Sequence, residues 1–71
     1  MNIQTAYNKS FSKAVNNDEN VDSGMEDYMN WDFVEADVWM DLAKAKFNDD
    51  DISDIVTAQF DDSIDAYVAA Q

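Results

Sequence analysis

The sequence predicts an all-α fold: a small three-helix bundle with a short first helix and a long hairpin formed by helices 2 and 3. Three observations lead there. Apolar residues recur at helical spacing in three separate runs. No proline interrupts any of them. A polar stretch rich in asparagine and aspartate, holding the only glycine, separates the first run from the second. The whole chain, 1–71, reads as a single helical domain without repeat or linker.

The first helix is expected over 3–15, where Ile3, Tyr7, Phe11, Ala14 and Val15 share one narrow stripe. Lys9 and Lys13 lie off that stripe, toward the end where cations oppose the helix dipole. Residues 16–24, NNDENVDSG, read as a loop. Ser23 followed by Glu26 has the spacing of a capping box, in which each side chain satisfies a backbone donor, so the second helix is expected to start there and run from 25 to about 46. On a wheel of about 100° per residue, Tyr28, Trp31, Val38 and Leu42 form one apolar stripe. Met25, Met29, Phe33, Ala36, Met40 and Ala43 form another, with Trp39 between the two. Asn30, Asp37, Asp41 and Lys44 remain as a polar strip.

A helix apolar nearly all round is normally central, so the stretch NWDFVEADVWMDL is expected to face helix 1 on one side and helix 3 on the other. Asp32 and Glu35 project between the stripes, where an unpaired carboxylate is costly to bury. They mark either a solvent-filled seam or apolar surface reserved for a partner. In the third run Asn48 is positioned to cap, with Phe47 and Ile52 in the two staple positions. Asp49, Asp50 and Asp51 then fill the first turn, where negative charge opposes the positive helix end. Ile52, Ile55, Val56, Phe60, Ile64 and Tyr67 continue as a stripe, with Asp54, Asp61 and Asp65 on the opposite face.

Composition removes most chemistry. The chain has no cysteine, which excludes disulfides and thiolate metal sites, and no histidine, the commonest general base and metal ligand. A core of this size typically supplies only ~3–5 kcal/mol without such help. Four lysines stand against 16 acids, a net charge of -12 that repels nucleic acid and anionic membranes alike. Neither is expected as a direct partner. Such charge could signal disorder, but 46% hydrophobic and 13% aromatic residues are enough for collapse. The first fifteen residues carry neither an apolar signal region nor a membrane span, so a cytoplasmic protein is expected.

Three specific chemistries fit poorly. Asp18, Asn20 and Asp22 alternate like calcium-loop ligands, but Ser23 stands where the loop needs glycine and Met29 where it needs a bidentate glutamate. Counting from Asp49 fails in the same way, with Phe60 in the last ligand position. Paired carboxylates need a cleft that raises one pKa, and Asp32 with Glu35 is the one pair set among apolar residues. The sequence DSGM at 22–25 is similar to the serine attachment site of acyl carrier proteins, but departs from their Asp-Ser-Leu at the third residue. A second register puts Asp32 at the attachment point. No enzyme activity, cofactor or metal is expected.

In size and charge over the whole chain, with no shared motif, the sequence resembles the small acidic proteins that bacteriophages and mobile elements make to block host or defence enzymes. Some of these mimic DNA. The resemblance implies a basic protein surface as partner, such as that of a nucleic-acid-binding enzyme, and an inhibitory or regulatory role in the host cytoplasm. Candidate contact residues are the acids Asp37, Asp41, Asp54, Asp61 and Asp65, with Trp31 and Trp39 as apolar anchors. Solubility alone calls for a net charge of magnitude about 2–8 in a small domain, less than this chain carries. The alternatives are a structural homo-oligomeric module, with the apolar arc of helix 2 as a homodimer seam, and a degenerate acyl-carrier-like domain.

The charge itself generates an expectation. Self-repulsion should be screened as the Debye length falls to ~10 Å at 0.1 M salt, so the melting temperature should climb along a sodium chloride series. A melt that drops with modest salt would contradict this.

Overall fold

The computed structural model describes residues 2–17 and 29–70, and it is an all-α bundle of three helices. They are α1 (Ile3–Asn16), α2 (Trp31–Lys44) and α3 (Asp49–Ala69). At 14 residues α1 is shorter than the 21-residue α3. α1 packs most extensively on α2, and α3 closes the third side.

One local rule starts every helix. Asn2, Asn30 and Asn48 are the three N-caps, and each side-chain oxygen accepts the backbone N–H three residues on, from Thr5, Phe33 and Asp51, at 2.8, 3.2 and 2.8 Å. Each cap satisfies a donor that the helix cannot. Two caps are reinforced by apolar residues on either side. Phe47 packs against the core and Ile52 is buried, as expected for α3. Met29 and Val34 occupy the same two positions about Asn30, and both are buried.

The start of α2 therefore differs from the sequence expectation of a helix running unbroken from 25. Met29 and Asn30 lie outside the helix, because the Asn30 side chain ends the ladder by taking the Phe33 N–H. Ser23, Glu26 and the rest of the expected capping box, like Tyr28, Met25 and the acidic alternation at 18–22, lie outside the described residues.

α2 ends in a Schellman turn. The Phe47 N–H donates to the Leu42 carbonyl at 3.2 Å and the Lys46 N–H to that of Ala43 at 3.0 Å. The geometry requires a left-handed residue, and Lys46 adopts it with φ 75°. The turn folds the chain directly into the Asn48 cap, making the α2–α3 hairpin tight.

The core joins Ala6, Tyr7, Ala14 and Val15 of α1 with Val34, Val38 and Leu42 of α2 and Ile52, Ile55, Val56 and Phe60 of α3. α1 and α3 bury the stripes their spacing predicts. α2 does not bury both of its stripes. Val34, Val38 and Leu42 face inward, while Phe33, Ala36, Met40 and Ala43 face solvent. A bundle of three gives each helix one inward side, so a helix apolar nearly all round must leave part of that surface outside.

At one helix end an aromatic cluster crosses all three elements. Phe11 stacks on Trp31 with centroids 6.4 Å apart and planes 4° from parallel. It meets Phe60 edge-on at 5.8 Å and Tyr7 at 6.4 Å. Trp31 in turn meets Tyr67 edge-on at 5.8 Å.

A left-handed residue with a Cβ costs roughly 1–2 kcal/mol relative to glycine, which has none to clash. Lys46→Gly should therefore stabilise the fold by up to about 1 kcal/mol, somewhat reduced by the lost positive charge. Urea denaturation measures this, and a destabilised variant would mean that the lysine side chain holds the turn.

Candidate interaction surface

α3 carries its acids where the helix period predicts. Asp54, Asp61 and Asp65 are exposed on the side opposite Ile52, Val56 and Phe60. Asp50, Asp51 and Asp62 are exposed beside them. The residues form a repeat that spacing arguments alone had missed. Asp-Asp-x-x-Asp occurs at 50–54 and again at 61–65. The offset of eleven residues is close to three full turns, so the two triads share a face ~16 Å apart along the axis. None of these six carboxylates makes an ion pair among the described residues.

The acids of α2 are placed differently. Asp37 is exposed, whereas Asp41 is half-buried and turned to α1. Its carboxylate accepts from Ser10 Oγ at 3.1 Å and from Lys13 Nζ at 3.5 Å. Ser10 is the buried polar residue of the described core, and this bond satisfies it. Asp41 thus fastens α1 to α2 and is not part of the α3 face.

Trp31 belongs to the aromatic cluster, and Trp39 is half-buried against the core. The apolar side chains most open to solvent are instead Phe33, 68% exposed, and Met40, 55% exposed. The seven sequence candidates therefore divide among the α3 face, the α2 rim, the α1–α2 seam and the core margin. Asp54, Asp61 and Asp65 come together on the outward face of α3, while Asp37 and Asp41 line a separate pocket with Lys13 and Lys44.

The cations lie elsewhere. Lys9, Lys13 and Lys44 line a groove of about 440 Å³ between α1 and α2, over Ala6, Leu42 and Ala45. Lys13–Asp41 is the ion pair among the described residues, and at 3.5 Å with an exposed lysine it contributes little stability. Charge is therefore segregated: three of the four lysines border one groove and leave the aspartates of α3 uncompensated.

Compared with known proteins, the chain matches no family model, no curated protein and no solved structure. The surface is therefore read on its own chemistry. Among the described residues, no group of three or more acids is arranged to hold a metal ion. No helix among them is long and apolar enough to cross a membrane.

Of the two acids expected between the apolar stripes, Asp32 is exposed and Glu35 half-buried. Glu35 acts on Tyr7. That phenol is buried, its oxygen 2.7 Å from Ser63 Oγ, and Ser63 donates its own proton to the Gln59 carbonyl at 2.9 Å. Tyr7 is then the donor to Ser63, in a short relay that joins α1 to α3. Burial pushes the Tyr7 phenol above its ordinary value, the Ser63 hydroxyl opposes that shift, and the nearby Glu35 charge adds to it.

The fold therefore favours neutral Tyr7. This contribution is complete below the ordinary tyrosine value of about 10, and is lost as pH rises from there through the raised folded value. Tyr7→Phe should cost ~1 kcal/mol at neutral pH and should flatten the alkaline loss relative to wild type. Paired melts across that range test it, and parallel pH profiles would count against the burial of this phenol.

Proposed function

We propose that this chain is a small acidic interaction protein that lays the outward face of α3 on a basic protein surface and regulates or inhibits the protein it covers. The observation that carries the reading is the repeated aspartate triad, six exposed carboxylates on one helix face that make no ion pair among the described residues. Asp50 and Asp51 oppose the helix dipole in the first turn, but like charges four residues apart, such as Asp61 and Asp65, weaken a helix, so the fold gains nothing from the second triad. A cationic partner would relieve it.

The spacing suits a surface that ordinarily meets phosphates. Asp61 and Asp65 are ~6 Å apart along the axis, and B-DNA places a phosphate every ~3.4 Å on each strand. Inhibition would follow by occlusion of that surface. A host or defence enzyme acting on nucleic acid is the class of partner this chemistry fits.

Replacing Asp61 and Asp65 together by asparagine should leave the melt unchanged or raised, because a like-charge pair is removed. Association with a partner captured from the native cell should slow, and its salt dependence should become shallower. Stopped-flow association at several salt concentrations measures both, and an unchanged rate and salt slope would end this reading of α3.

A further inference from the structure

The α3 reading leaves the outward side of α2 unexplained. Phe33, Ala36, Met40 and Ala43 recur at intervals of three, four and three residues, the spacing of a helix-packing seam. All four are exposed, on the side of α2 opposite Val34, Val38 and Leu42. The strip runs ~15 Å, about three helical turns. Its two large side chains alternate with alanines, so a second helix could seat close to the backbone between Phe33 and Met40. Exposed Asp32 borders one edge and exposed Asp37 the other, beside Lys44.

We infer that this face of α2 is a docking site for a basic amphipathic helix. The occupant follows from charge. An apolar seam alone would accept any amphipathic helix, but Asp32 at one edge and Asp37 at the other, on a chain of net charge -12, select one flanked by lysine or arginine. The same charge disfavours a second copy of the chain, since pairing seam to seam would bring two strongly acidic molecules together. The inference deepens the proposed function and rests on its basic partner: α3 attracts the partner's surface, and α2 holds one of its helices.

The test uses the full chain and two synthetic peptides of about 18 residues, five helical turns. Both contain only leucine and lysine in equal composition. In one the leucines form a single helical face, and in the other they are scattered. Fluorescence anisotropy of the labelled peptides should show the amphipathic one binding at least about tenfold tighter, a difference of ~1.4 kcal/mol. Phe33→Ser with Met40→Ser should abolish that preference while leaving the melt close to wild type, because both side chains are exposed. The Asp61→Asn, Asp65→Asn variant should weaken both peptides alike.

Equal binding of the two peptides, binding of neither, or a preference that survives the double serine variant would overturn the docking site. None of these outcomes touches the α3 reading, which stands or falls on the association kinetics of the captured partner. Sedimentation velocity of the free chain should show a monomer. A dimer that the double serine variant dissolves would make a second copy the occupant and overturn the basic helix.

Discussion

Phe11 is the side chain on which the mutual placement of the helices depends. It touches Trp31 of α2 and Phe60 of α3 as well as Tyr7 on its own helix. With no cysteine to cross-link the chain, helix orientation rests on packing of this kind. Aromatic pairs contribute about 0.5–1.5 kcal/mol each beyond the area they bury, a substantial share of what so small a core can supply. The tether from Asp41 to Ser10 and the relay from Tyr7 to Ser63 then fix α1 against its two neighbours. Interior contacts set the geometry, and the carboxylates of α3 are left outside, where water and salt weaken their repulsion.

Much of this was legible in the chain. The ends of α1, the Asn48 cap, the Phe47–Ile52 staple and the buried stripe of α3 follow from spacing and from the chemistry of unsatisfied helix ends. The start of α2 was misread because Ser23 with Glu26 has the more familiar capping pattern, whereas Asn30 caps with only Met29 and Val34 to signal it. All three helices use asparagine, so the rule could have been read across them.

The inward side of α2 was less accessible. A helical wheel groups residues into faces but does not say which face meets a neighbour, and α2 offers two apolar faces. The role of Asp41 was hidden for a related reason: its partners Ser10 and Lys13 lie 31 and 28 residues away in sequence. The face shared by Asp54, Asp61 and Asp65 was legible because α3 has a single apolar stripe, which leaves only one side for its acids.

Segregation of the lysines has a further consequence. The molecule measures 34 × 19 × 19 Å, and three of its four lysines gather at the α1–α2 groove while α3 carries seven exposed aspartates. Among the described residues the centre of charge is therefore displaced toward α3, which gives this part of the chain an electric moment as well as a net charge. In the field of a cationic surface such a body experiences a torque as well as an attraction, and turns its aspartate side forward before any atoms touch. Docking rates of proteins are limited largely by the search over mutual orientations. A body that rotates into alignment during approach has already completed part of that search when it arrives.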